Sequence, residues 1–178
     1  MATKYLQSLT EKDKRGVGNL NSLKIKTVAH GAIAEEDADN FTLVELNFNS
    51  EGERTFKPLS EVSKQAYLLA APERRYGGET IGEFFVGKGE RARIVVLEDN
   101  YTRFETSEFT GDPSNGKFAH FDVAEKKFKI HDGTDSDYAG AAAKFLVVSS
   151  EEDMDYTLGQ PLVRFEVISN SPVVTPAP

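Results

Sequence analysis

The chain has 178 residues, 39% of them hydrophobic, so it is long enough for one domain with a packed core. Its 29 acidic residues outnumber the 21 basic ones, and the net charge of −8 argues against a general nucleic-acid-binding protein, whose affinity depends on neutralising phosphates. The absence of cysteine excludes disulfides, thiolate nucleophiles and cysteine-ligated metals.

Residues 1–22 are predicted to form a flexible, basic N-terminal arm. They contain few apolar side chains and lack the apolar core of a secretion signal, so we expect synthesis in the cytoplasm. Residues 1–26 carry six basic and two acidic residues, whereas most of the later loops are acidic. We predict that the arm contacts an acidic surface of another subunit. The candidate contact residues in the arm are Lys4, Lys12, Lys14 and Arg15.

The body is predicted to be β-rich and to span residues 23–168, with an inserted segment at 31–97. Alternating apolar and polar side chains predict a strand at 23–28, and an apolar run predicts another at 41–48. Residues 60–71 are predicted to form the one short helix, because a serine can cap it and apolar residues recur at helical spacing.

From residue 77 onward, glycines separate short apolar runs, which is typical of strands and tight turns. Two strands at 81–86 and 91–98 flank Gly87-Lys88-Gly89, so we expect a hairpin. Further strands are predicted at 101–106, 118–123, 127–131, 144–148 and 162–168, the second and third of them joined as a hairpin. Residues 169–178 are rich in proline and predict an extended tail. The fold class is therefore mainly β, an antiparallel β-barrel or β-sandwich with extended terminal arms.

Two of the three histidines fall on the strands of the predicted second hairpin. His120 and His131 are expected to come near each other, which is one conceivable arrangement for a metal ligand pair. Neither spacing matches a known ligand signature, so the sequence predicts no metal site there. The acidic loop at 132–137 lacks the glycine and glutamate positions of an EF-hand and is interpreted as a solvated turn.

No motif predicts an enzyme or a cofactor. The glycine pairs match no phosphate-binding loop, the sequence contains no Gly-x-Ser-x-Gly elbow, and nothing places two carboxylates across a cleft. We therefore expect a structural or interaction protein without catalytic or cofactor-binding residues. In the body, Arg74 and Arg75 are candidate subunit contacts, and so are Phe84 and Phe85, because adjacent strand residues point to opposite faces.

The chain resembles the accessory proteins of tailed-phage virions, especially the decoration or cement proteins that bind the outside of the head. The resemblance is carried by the basic arm, the antiparallel body, the proline-rich end and the absence of cysteine. It is greatest from about Gly111 to Ile168, where Asn115-Gly116-Lys117-Phe118 opens a hairpin and residues 158–167 form a terminal strand.

This resemblance implies a protein made in the host cytoplasm and incorporated into the virion. It would bind across junctions between major capsid subunits, form homo-oligomers on the particle, and have neither nucleic acid nor membrane as a partner. Two alternatives remain open, a tail or connector component and a β-sandwich module that binds glycans or a receptor. In the second alternative, exposed tyrosines would stack on sugars, with candidates Tyr5, Tyr76, Tyr101, Tyr138 and Tyr156.

Overall fold

The computed structural model describes residues 15–72, 83–114, 116–148 and 162–173. These residues form a mainly β fold with one short helix, as predicted. The elements, in chain order, are β1 (Gly18–Leu20), β2 (Ala32–Ala34), β3 (Ala38–Asp39), β4 (Leu43–Phe48), β5 (Arg54–Pro58), β6 (Tyr67–Leu69), β7 (Phe85–Val86), β8 (Arg91–Ala92), β9 (Ile94–Val96), β10 (Arg103–Thr106), β11 (Phe109–Thr110), β12 (Phe118–Asp122), β13 (Lys127–His131), α1 (Ser136–Gly140), β14 (Ala143–Val147) and β15 (Val163–Asn170).

Six strands form a small sheet that curls back on itself. Their order is β8-β2-β5-β4-β6-β9, and the two edge strands are separated along the chain by Arg93 alone. The sheet is therefore a nearly closed barrel, which we call the small barrel. Its interior contains mostly small side chains, among them Ala32, Ala34 and Ala92, around the larger Phe56 and Ile94.

Seven strands form a second sheet, in the order β1-β10-β15-β14-β12-β13-β11. One face of this sheet packs on the outer wall of the small barrel and encloses a core rich in phenylalanine. Phe128 lies at the centre of that core, with ring centroids 5.1 Å from Phe165 and 5.2 Å from Phe145. Leu43 and Leu68 of the barrel complete the core from the other side.

Several predicted strands are confirmed, most clearly in the second half of the chain. The predicted hairpin at 118–131 is present as β12 and β13, which pair antiparallel from Phe118↔His131 to Asp122↔Lys127. Strands β4, β10, β14 and β15 also lie where the apolar patterns predicted them. Two pairs, β2 with β5 and β11 with β13, are parallel, so the sheets are mixed and not purely antiparallel as predicted.

The prediction of a helix at residues 60–71 is wrong. The structure has an irregular turn followed by β6, and the short helix is α1 at Ser136–Gly140. Because β6 lies between the two cores, Leu68 faces one core and Leu69 the other. A strand that is buried on both faces carries apolar residues at almost every position. Some of these residues are therefore always three or four positions apart, which is also the spacing of a helix.

The strand predicted at 23–28 and the hairpin predicted around Gly87-Lys88-Gly89 are not observed. In the first segment, only Thr27 forms a β-bridge, with Val95. In the second, β7 pairs with β3 and β8 pairs with β2, so the flanking strands do not pair with each other. Residues 81 and 82 of that prediction lie outside the described residues.

Residues 15–22, which we assigned to the arm, form part of the folded body. β1 pairs antiparallel with β10, and Val17 is buried. A side chain at Gly18 would overlap the Glu105 carbonyl oxygen and the Phe41 ring, so this close approach requires glycine. Residues 1–14 of the predicted arm lie outside the described part of the chain.

The first residues of the predicted tail also pack on the body. β15 continues to Asn170, whose side-chain amide bonds both the N–H and the carbonyl of Ala66, at 3.0 and 2.8 Å. The N–H of Val173 donates to the Ser63 carbonyl at 3.0 Å. Residues 174–178 are outside the described part.

Candidate functional site

The structure describes three of the eight residues that the sequence predicted as subunit contacts. Lys4, Lys12, Lys14, Arg74 and Arg75 lie outside the described residues. Arg15 forms an ion pair with Asp39 at 3.2 Å, and its guanidinium lies 4.8 Å from the centre of the Phe85 ring. Phe84 and Phe85 are both buried, which contradicts the expectation that one of them is exposed. The reason is that Phe84, which precedes β7, packs in the core of the small barrel, whereas Phe85 of β7 lies beneath the Arg15 guanidinium.

An exposed apolar surface occurs instead at residues 21–28, which we call the bridge segment because it joins the two sheets. At its start, the N–H of Asn21 donates to the Arg103 carbonyl of β10 at 3.0 Å. At its end, the Val96 N–H of β9 donates to the Lys26 carbonyl at 2.9 Å. Between these anchors, the Lys24 N–H donates to the Tyr101 hydroxyl at 3.1 Å. The backbone of the segment is thus held on both sides and in the middle.

The side chains of residues 23–27 of the bridge segment are exposed, whereas Val28 packs against the core of the small barrel. Leu23 is 95% exposed, and Ile25 and Tyr101 are about two-fifths exposed, at 40% and 41%. Ile25 and Tyr101 line an open cleft of about 530 Å³ together with Lys24, Lys26 and two acidic residues. The alternation at 23–28 had suggested a half-buried strand. The sequence contains no signal that residues 23–27 pass between the edges of two sheets, where their side chains are not covered.

A second candidate site lies on the outer face of the seven-stranded sheet. Alternate residues of β12 and β13 point away from the phenylalanine-rich core, which places His120, Lys129 and His131 on the same side. The predicted proximity of the two histidines is confirmed, since His120 Nδ1 lies 3.2 Å from His131 Nε2. α1 covers this face, and its Tyr138 ring packs edge-on against His131 with centroids 4.8 Å apart.

The hydrogen bonds around this pair define the positions of the ring protons. The Gly133 N–H can only donate, and it lies 2.9 Å from His131 Nδ1, so that nitrogen is the acceptor. A neutral His131 then carries its proton on Nε2 and donates it to His120 Nδ1. His120 therefore carries its proton on Nε2, which faces Asp135 Oδ1 at 3.9 Å.

The pKa values in this cluster shift as its burial and charges require. Burial lowers the pKa of His120 and that of His131, although the carboxylate of Asp135 partly opposes both shifts. The Lys129 ammonium, 2.8 Å from Asp135 Oδ2, is the main reason that the pKa of Asp135 falls to about 2. The cluster thus contains two neutral imidazoles beside an ionised carboxylate at neutral pH.

Asp137 completes a set of three residues whose ligand-type atoms lie within 4.8 Å of one another: His120, Asp135 and Asp137. A cleft of about 410 Å³ reaches this set from the solvent and is lined by His120, Asp137, Asp122 and Glu61 among others. The sequence had assigned Asp135 and Asp137 to a solvated acidic turn. Strand alternation could have placed the histidines on one face, but nothing in the sequence showed that the 132–137 loop folds back over them.

The remaining sequence candidates are distributed as follows. Of the tyrosines proposed for sugar stacking, Tyr101 is exposed at the bridge segment and Tyr138 packs on the histidine pair. Tyr5, Tyr76 and Tyr156 lie outside the described residues. In the part of the chain that the structure describes, no helix has the length and apolar character of a transmembrane span.

Comparison with known proteins connects this chain to a bacteriophage. Residues 11–168 match the family described as YonC prophage protein. A relative described as SPbeta prophage-derived uncharacterized protein YonC, from Bacillus subtilis (strain 168), is 54% identical over 176 residues, covering 94% of this chain and 99% of the relative. No solved structure matches the chain significantly. Because the match covers most of the chain at this identity, the protein belongs to the YonC prophage protein family.

Proposed function

We propose that this protein is a structural component of a phage particle that binds the capsid shell and stabilises it by bridging major capsid subunits. Its membership of a prophage family supports a role in the phage, and its mainly β body is compatible with a virion protein. On this proposal it acts without catalysis, and its partners are the major capsid protein and further copies of itself on the particle.

The bridge segment is the observation that carries the proposal. Leu23 is almost fully exposed although the backbone on both sides of it is hydrogen-bonded to the two sheets. An apolar side chain on an ordered backbone gains free energy when a partner covers it, and little backbone freedom remains to be lost on binding. The segment is therefore suited to insert its leucine and isoleucine into an apolar groove of another subunit.

Glu98 and Asp99 balance Lys24 and Lys26 within the cleft, so the basic charge that favours an acidic partner comes from the residues that precede the bridge segment. Lys24 and Lys26 alternate with Leu23 and Ile25, and Lys26 lies at the rim of the cleft with an ion pair to Glu98 at 3.4 Å. The sequence before the bridge segment adds the lysines of residues 1–14. Basic side chains around an apolar contact steer it towards acidic surfaces and increase the association rate. We infer that the groove on the capsid subunit is apolar and bordered by acidic residues.

Two separate contact regions would make bridging effective. If the bridge segment binds one capsid subunit and the basic residues at 1–14 bind its neighbour, the second contact forms at a high local concentration. Contacts that are individually weak then hold the junction together against the pressure of packaged DNA.

Co-sedimentation with assembled phage capsids tests the proposal. The full chain, a Leu23→Asp/Ile25→Asp variant and a Phe48→Ser control are mixed with purified capsids and pelleted. Phe48 is a matched control because it is also an exposed apolar side chain, on β4 of the small barrel. We expect the wild-type chain and the control to pellet with capsids, and the double variant to bind at least about tenfold more weakly.

A second variant, Lys4→Glu/Lys12→Glu/Lys14→Glu in the full chain, tests the basic contact. We expect its binding to decline and to become less sensitive to salt than that of the wild type. Failure of the wild-type chain to bind capsids, or undiminished binding by the Leu23→Asp/Ile25→Asp variant, would overturn the proposal. Closed rings of the isolated protein would favour a tail or connector component, and glycan binding would favour a receptor-binding module.

A further inference from the structure

We propose that His120, Asp135 and Asp137 bind a divalent transition-metal ion such as Zn²⁺ on the outer face of the seven-stranded sheet. The three residues come from β12, from the loop that leads into α1 and from the first turn of α1. Their ligand-type atoms already lie within 4.8 Å of one another. Metal–ligand bonds of about 2.0–2.2 Å place two ligands of a tetrahedral zinc about 3.4 Å apart, so each side chain needs to move by only about 1 Å.

The orientation of His120 is the strongest indication of a ligand. Its side chain is only 2% exposed, and its Nδ1 is held by His131. Its second ring nitrogen, Nε2, points to Asp135 Oδ1 at 3.9 Å, which is beyond hydrogen-bond distance. A buried imidazole is thus fixed through one nitrogen and presents the other to two carboxylates. This is the geometry of a metal-binding histidine with a supporting partner, and metal binding requires its ring protons to be redistributed.

Asp135 is held in the same way. Lys129 Nζ binds its Oδ2 at 2.8 Å, and the N–H of Asp137 donates to its Oδ1 at 3.0 Å, so the carboxylate is oriented before an ion arrives. One lone pair of Oδ1 remains available on the side of His120. Asp137 is exposed at the first turn of α1 and adjoins the cleft of about 410 Å³, from which water molecules can complete the coordination.

The donor set selects the class of ion. One imidazole nitrogen and two carboxylate oxygens suit Zn²⁺ and other borderline transition metals, whereas Ca²⁺ and Mg²⁺ prefer oxygen ligands alone. The cleft is also acidic, since Asp122 and Glu61 line it in addition to Asp137. A cation therefore enters a site of complementary charge.

Metal binding has a defined consequence for the histidine protons. In the hydrogen-bonded pair, His120 carries its proton on Nε2, the atom that would bind the ion. On binding, that proton leaves to water, the His131 Nε2 proton passes to His120 Nδ1, and His131 takes a proton from water on its Nδ1. No net proton is released by the pair. The His131 Nδ1–H and the Gly133 N–H are then both donors, so the two groups must move apart. Gly133 is exposed, so water can accept from its N–H.

Titration of the full chain with Zn²⁺, after treatment with a chelator, tests the proposal. Isothermal titration calorimetry of the wild-type chain is expected to show one ion per chain. Asp137→Asn is expected to raise the dissociation constant about tenfold or more. Asp132→Asn is the matched control, because it removes an exposed carboxylate from the same loop. Asp132 pairs with Lys117 and lies outside the ligand set. It should leave the affinity unchanged within about twofold.

Histidine ¹⁵N chemical shifts provide a readout that does not depend on any activity. Zn²⁺ should shift the His120 Nε2 resonance strongly and move the His131 proton from Nε2 to Nδ1, and Asp137→Asn should prevent both changes at the same concentration of metal. Absence of binding, equal losses in the Asp137→Asn and Asp132→Asn variants, or binding of Ca²⁺ in preference to Zn²⁺ would each overturn the proposal. Capsid binding by the bridge segment is independent of all these outcomes.

Discussion

The two cores of this protein stabilise it in different ways. The core between the seven-stranded sheet and the small barrel contains phenylalanines whose rings contact one another, with Phe128 against Phe104, Phe121, Phe145 and Phe165 at centroid distances of 5.1 to 5.4 Å. The core in and around the small barrel mixes five alanines with six larger side chains, of which only Phe56 and Phe84 are aromatic. The first core is stabilised by large apolar area, whereas the second depends on the close approach of strands.

This difference follows from the geometry of the two sheets. Two sheets packed face to face are separated by about 10 Å, a space that large aromatic side chains fill. A sheet of six short strands that closes on itself leaves a narrow interior, in which Ala34 of β2 lies opposite Phe56 of β5. We therefore expect the aromatic core to be most sensitive to loss of volume and the barrel to be most sensitive to added volume.

Phe128→Ala should have the largest effect, because it removes a ring that four other phenylalanines contact. We expect the free energy of unfolding to decrease by about 3–5 kcal/mol, as measured by urea denaturation. The control is Phe48→Ala, which truncates an exposed phenylalanine stacked on Arg54 and should cost less than about 1 kcal/mol. Equal losses in the two variants would contradict a central role of the aromatic core.

Ala34→Leu tests the opposite property in the small barrel. Ala34 is buried on β2, and three additional carbons in the narrow interior should displace neighbouring side chains at a cost of about 1–3 kcal/mol. Ala124→Leu introduces the same side chain at an exposed position in the turn between β12 and β13 and should leave the stability nearly unchanged. A stabilised Ala34→Leu variant would mean that the barrel interior has unfilled space, and the contrast between the cores would then disappear.

The two regions also differ in how well the sequence predicted them. In the seven-stranded sheet, β12 and β13 have one apolar and one polar face, so alternation located both strands and predicted the approach of His120 to His131. In the small barrel, β6 is buried on both faces and was predicted as a helix. Alternation is most informative where one face of a strand is solvated. Pairing partners such as β7 with β3 depend on long-range contacts that local pattern does not encode.

The candidate sites follow the same rule. His120 and its partner His131 lie on regular strands and were recognised as a pair, whereas Asp135 and Asp137 come from an irregular loop and the start of α1. The bridge segment was interpreted as a strand, because Leu23 and Ile25 alternate with lysines. Leu23 and Ile25 are exposed because the segment passes from the edge of one sheet to the edge of the other. Local sequence contains no information about that path.

Acid titration tests the polar contacts of Glu45 on the small barrel separately from the packing of the barrel interior. It should produce the smallest change in the free energy of unfolding. Glu45 of β4 accepts hydrogen bonds from the Ser60 hydroxyl at 2.6 Å and the Ser60 N–H at 3.2 Å, and it pairs with Lys57 and Lys64. Burial alone would raise the pKa of Glu45, but these contacts outweigh burial and lower the pKa from 4.5 to about 2. Because the folded state holds the carboxylate ionised, its contribution to stability is complete above pH 4.5 and is lost as the pH falls towards 2.

We expect this contribution to be about 1 kcal/mol, since solvent screens the two lysines. It should appear as a decline in urea-derived stability between pH 4.5 and 2 that Glu45→Gln reduces. Glu51→Gln is the control, because Glu51 is exposed in the turn between β4 and β5, where it is the neighbouring Glu53 that pairs with Arg91. The decline should persist in that variant. If Glu45→Gln left the decline unchanged while Ala34→Leu remained destabilising, the 59–64 turn would contribute little to the barrel, and packing of the interior would account for its stability.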